Sequence, residues 1–115
     1  MDKITDPNLA IPKGLSRGGR KAAKTILESG LKELGSLSSG GCRTFYTPKE
    51  WADRGEVSGN GSILVVVYDG GDLYSLLSYH SESPRMRDRM DEAMDNAGFF
   101  IETINCWSSA VYLKE

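Results

Sequence analysis

Apolar residues recur along this chain with two different periods, and the changes of period mark its elements. Across residues 16–34, Ala23, Ile26, Leu27, Leu31 and Leu34 fall three or four positions apart, which lines one side of an α-helix. Ser16 can cap that helix through its hydroxyl, and Gly35 can end it in a left-handed turn. Gly30 lies on the stripe itself. Glycine costs a helix interior about 1 kcal/mol relative to alanine, so close packing is expected there. Residues 35–41, "GSLSSGG", read as a flexible connector. "CRTFYT" is short and β-prone. Thr47-Pro48-Lys49-Glu50 then joins a capping threonine, a proline at the first helical position and a glutamate able to bond back to the cap. Gly55 keeps that second helix brief.

Residues 58–61, "SGNG", predict a turn into a continuous apolar run, Ile63-Leu64-Val65-Val66-Val67-Tyr68. Unbroken β-branched and apolar sequence predicts a strand covered on both faces, hence a central place in the sheet. Asp69-Gly70-Gly71-Asp72 ends it. "LYSLLSYH" fits a second strand or an irregular segment. Ser83-Pro84 opens the second main helix, with Met86, Met90, Ala93, Met94 and Ala97 as its apolar stripe and Gly98 as its stop. Arg85, Asp88, Arg89, Asp91, Glu92 and Asp95 form its solvated face. "FFIETINCW" and "SSAVYLK" read as two β segments that suit a hairpin. No repeat is visible. The pattern predicts an α+β fold in residues 16–115: a single domain with a small antiparallel or mixed sheet of about four strands, packed by two main helices. Residues 1–15, with Pro7 and Pro12, predict an extended N-terminal arm.

A chain of 115 residues sustains one core, and 39% hydrophobic with 26% charged residues is ordinary for a globular domain. No apolar run nears the roughly 20 residues of a membrane span. The polar start "MDKITDPNLAIPK" lacks the apolar centre of a secretion signal, so a cytoplasmic protein is expected. In that compartment Cys42 and Cys106 are expected as buried thiols rather than a disulfide framework, and the sequon Asn60-Gly61-Ser62 is set aside. The net charge of −2 hides a polarity. Residues 1–60 hold ten Lys/Arg against seven Asp/Glu, and residues 61–115 hold four against nine, so one basic and one acidic region are expected.

The basic excess concentrates in "KGLSRGGRKAAK", where Lys13, Arg17, Arg20, Lys21 and Lys24 occur with no acid until Glu28. Four of them stand at a helix start, where the macrodipole disfavours cations by a few tenths of a kcal/mol each. They form either a solvated face or a site for an anionic partner: a nucleic acid, a nucleotide or an acidic protein surface. The spacing of a nucleoside-triphosphate loop is absent. Asp69, Asp72, His80 and Glu82 form a second candidate. Carboxylates after a strand can hold a divalent cation, while Asp and Gly are equally the residues a plain turn demands. A lone histidine cannot build a multi-histidine metal site, and no local signature pairs it with a cysteine nucleophile. Gly14-Leu15-Ser16-Arg17-Gly18 matches "GxSxG" in spacing but follows no strand, so no nucleophile elbow is read there; neither "CxxC" nor "HExxH" occurs, and no cofactor is expected. Among the aromatic residues Phe45, Tyr46, Trp51, Tyr74, Tyr79, Trp107 and Tyr112, most should be core, with Trp51 and Trp107 as candidate exposed anchors.

"IPKGLSRGGRKAA", "FYTPKEWADRGE", "VVVYDGGDL" and "INCWSSAVYL", in this order, resemble a group of small proteins of phages, prophages and mobile elements, over roughly residues 11–113. No established activity travels with the group, so the resemblance transfers no catalytic residue. It implies a protein that acts by binding, as inhibitor or modulator of a host macromolecule and as an anti-defence factor in one version. The leading expectation is therefore a non-enzymatic binding protein meeting a host protein or nucleic acid through Arg17, Arg20, Lys21 and Lys24, with Trp51 and Arg54 as secondary contacts. The alternative is an enzyme or binder of a nucleotide-like or phosphorylated ligand, with a divalent cation on Asp69 and Asp72. A homo-oligomer whose function depends on assembly is a third reading.

Overall fold

A computed structural model describes residues 6–56, 61–78 and 84–114. Along the chain run α1 (Arg17–Leu34), β1 (Phe45–Tyr46), α2 (Pro48–Asp53), β2 (Leu64–Val67), α3 (Tyr74–Leu77), α4 (Pro84–Ala97), β3 (Phe99–Asn105) and β4 (Ser108–Leu113). The strands form one antiparallel sheet in the order β1-β2-β4-β3, so the apolar run of β2 is interior, as its composition predicts. The α+β class with two main helices on a four-stranded sheet is thus the observed architecture.

Alternation along the strands divides the apolar residues between two layers. Leu64, Val66, Phe45, Phe99 and Val111 face α1, α3 and α4, and meet Ile26, Leu27, Leu76, Leu77, Met90 and Met94 in the main core. Val65 and Val67 face the other way and are covered by Trp51 of α2, with Tyr46, Ile104 and Trp107 around it. The caps follow the sequence signals. Ser16 Oγ accepts from Gly19 N–H at 3.0 Å, and Thr47 and Glu50 form a reciprocal capping box. Gly30 is buried because a Cβ there would lie 2.9 Å from Leu37 Cδ1.

Several expectations change. Leu34, at the end of the apolar stripe, is 36% exposed, and α1 instead buries the small residues Gly19, Ala22, Ala23 and Gly30 beside Ile26 and Leu27. The tail is not a free arm from Asp6 on. Pro7–Leu9 forms a short 3-10 turn, Leu9 and Leu15 are in the core, and Thr44 N–H donates to Asn8 O. "LYSLLSYH" contains neither of the two expected forms, since residues 74–77 make the single helical turn α3 that buries Leu76 and Leu77. α4 also buries a residue that the sequence reading places on neither of its faces: Arg87 is 1% exposed and spans α3, α4 and β3 through Leu77 O, Asp91 Oδ1 and Thr103 Oγ1. Both Cys42 and Cys106 are exposed rather than buried. The predicted arm residues 1–5, most of the turn at residues 58–61, Tyr79, His80, Glu82 and the cap Ser83 lie outside the described residues. Among the described residues no helix is long and apolar enough to cross a membrane.

Candidate functional site

The glycines in "SRGGR" serve packing. A Cβ on Gly19 would stand 2.5 Å from the carbonyl oxygen of Ile63, so glycine lets α1 lie directly on the approach to β2. This contact fixes the first two turns of α1 and turns their polar side outward, where Arg17, Arg20, Lys21 and Lys24 are all exposed. Lys24 faces Glu28 at 3.9 Å, and Lys21 Nζ sits 5.8 Å above the Phe99 ring. Arg17, Arg20 and Lys21 have no ion-pair partner among the described residues. The first turn of α1 contains no acid, so the electropositive end of the helix adds to their field.

Beside these cations the start of α1 and the β3–β4 hairpin leave a shallow groove of about 680 Å³. Its floor is Gly18, Ala97, Phe99 and Leu113, and Arg17 and Lys21 stand on its rim. Leu113 also borders an adjoining depression with Ile63, Phe100, Tyr112 and Lys114. Leu113 is 57% exposed and Phe100 is 45% exposed, although both belong to strands of the sheet. Phe100 and Tyr112 stack at 5.2 Å and 17° on the sheet face opposite the main core. Lys114 pairs with Asp95 at 2.5 Å. The sequence did carry a signal for this apolar surface. Adjacent strand residues point to opposite faces, so Phe99-Phe100 and Tyr112-Leu113 cannot both be core pairs in a sheet with one deep core.

Of the secondary contact candidates, Trp51 is 1% exposed and therefore unable to anchor a partner directly. It fills the second layer, edge-on to Trp107 at 6.3 Å, because a six-residue helix must bury its one large ring to be held on the sheet at all. Arg54 is exposed and stacks over Trp51 at 4.7 Å and Tyr46 at 5.2 Å, while Arg43 covers Tyr46 at 4.4 Å. Arg43 also grips Glu50 through both guanidinium nitrogens, at 2.7 and 2.8 Å, and this bond holds the Glu50 carboxyl down to about 2. These groups build a lid of stacked cations and rings over the second layer.

Asp69 and Asp72 are both exposed, but Asp72 is engaged. Its carboxylate accepts from Ser38 N–H at 2.7 Å, and its own N–H donates to Ser38 O at 2.9 Å. Asp6 reaches the same loop through Ser39 N–H at 2.9 Å, and that bond, with a second from Asn8 N–H, lowers its pKa. The expected flexible connector is therefore clamped, and Asp69-Gly70-Gly71-Asp72 is half of the clamp. Gly70 takes φ +76°, and a Cβ on Gly71 would lie 2.6 Å from Ser39 O. Among the described residues no three His, Cys, Asp or Glu side chains come together as a metal site. His80 and Glu82 lie outside the described residues. No family model, curated protein or solved structure matches this chain.

Proposed function

We propose that this chain is a non-enzymatic binding protein that engages a host macromolecule through the basic start of α1. One observation carries the reading: Arg17, Arg20 and Lys21 stand exposed without described ion-pair partners, and Arg17 and Lys21 rim an apolar groove. Cations at a helix N-terminus cost the fold a few tenths of a kcal/mol each, and here no neighbouring carboxylate offsets them. Such an arrangement is accounted for if an anionic surface completes it. The resemblance to phage and mobile-element proteins supports a host-cell partner and an action inside that cell, as inhibitor or modulator.

The experiment is affinity capture from a bacterial lysate by the wild-type chain and by an Arg20→Glu/Lys21→Glu variant, with and without nuclease. Because both positions are exposed, the variant should keep the wild-type melting temperature. The expected outcome is capture that the variant loses. Equal capture by a folded variant would remove the basic face from the reading.

A further inference from the structure

We infer that the groove between α1 and the β3–β4 hairpin takes an acidic segment of a partner protein, seated by an apolar side chain on Leu113 and held by Arg17 and Lys21. This rests on the binding reading above and specifies the chemical class of its partner.

The choice of occupant follows from three features. The floor is apolar, and Leu113 is largely exposed on it, so part of the ligand must be apolar to gain from burial. The two rim cations lack described counter-ions, so the groups flanking that apolar part must be anionic. The third feature separates a short acidic segment from a nucleic acid. A phosphate backbone repeats its charge along its whole length and is followed by a matching track of cations. Here only two cations, Arg17 and Lys21, line the groove. α4, whose last residue Ala97 lines the groove, presents exposed Asp88, Glu92 and Asp95, four and three residues apart on one side of the helix, with Asp95 paired to Lys114. A continuing polyanion would meet that stripe and be repelled, whereas a peptide can place its few carboxylates at Arg17 and Lys21 and end. The nearby exposed rings, Phe100 and Tyr112, are stacked on each other, so each has one face already taken.

The test is selection of random displayed peptides on the immobilised full chain. Recovered peptides, and an oligodeoxythymidine of matched charge, are then titrated by fluorescence polarisation. The expected result is enrichment of peptides with an apolar residue flanked by Asp or Glu. Their affinity should fall roughly tenfold or more on Lys21→Glu and, separately, on Leu113→Asp, and should exceed that of the oligonucleotide. Leu113→Ser serves as a milder variant should Leu113→Asp lower the melting temperature. Enrichment of peptides without acids, no enrichment, or tighter binding of the oligonucleotide would overturn the inference. So would a dimer in light scattering that Leu113→Asp dissociates. If lysate capture still depends on Arg20 and Lys21 while the selection fails, this inference falls and the binding reading stands. If both fail, both fall.

Discussion

Gly40 and Gly71 sit where two loops, far apart in the chain, pass backbone against backbone. A Cβ on Gly40 would fall on the carbonyl of Gly70, and Gly40 also holds φ +73°. Gly41 has φ +98° but open space around it. Gly40→Ala should therefore cost about 3 kcal/mol or more, combining backbone strain with a clash that no side-chain rotation relieves. Gly41→Ala should cost only about 1–2 kcal/mol. Urea unfolding of both variants checks the difference, and equal losses would mean that the loops do not interlock. The turn nature of Asp69-Gly70-Gly71-Asp72 was legible from residue type. Its partner was not, because the Ser38–Asp72 bond spans 34 residues and nothing local announces it. Glu50 offers a second test at this scale. Its folded pKa of about 2 lies below the ordinary 4.5, so the pair with Arg43 stabilises fully above pH 4.5 and is lost as pH falls toward 2. Wild type should melt above Glu50→Gln at neutral pH, with the gap closing in that acid window. Both partners are about 40% exposed, which limits the gap to about 1 kcal/mol or less. A gap that is constant with pH would assign the effect to something other than this charge pair.

At the scale of elements, α4 shows how period and residue type can disagree. Position 87 lies three before Met90 and seven before Met94, squarely on the buried stripe, yet an arginine suggests solvent. The period is right. Burial is tolerated because the guanidinium reaches Leu77 O, Asp91 and Thr103, acceptors from three separate elements that sequence cannot bring together. Arg87→Met should cost about 1–3 kcal/mol, since it strips the donor from the buried Leu77 carbonyl. Arg87→Lys should recover little of this, because one ammonium cannot match a planar fork of donors. Denaturant midpoints of both variants measure it, and a wild-type midpoint for Arg87→Met would show that the buried bonds are dispensable. The same conflict explains α3. Leu73, Leu76 and Leu77 carry a helical spacing, but a segment of one turn is too short for period alone to separate it from strand or loop. Where the signal was long or reinforced by caps, as in α1, α2, β2 and the β3–β4 hairpin, sequence and structure agree.

Across the whole molecule, the charge polarity read from composition becomes a geometry. The cations at the start of α1 rim a groove whose far side leads onto the acidic stripe of α4. The basic residues of that surface were legible as a cluster. Strand alternation marked some of the apolar residues at 99–100 and 112–113 as surface, but not that Phe99 and Leu113 would lie beside Arg17 and Lys21, which the hairpin brings about only by folding back against α1. On the proposal above, this surface carries the function. It is tested most directly by lysate capture with the wild-type chain and an Arg17→Glu/Lys21→Glu variant of equal melting temperature, at low and high salt. The expected result is a partner retained by wild type, weakened by salt as exposed charge pairs are screened, and lost by the variant. A partner retained equally by both folded proteins at both salt concentrations would contradict it.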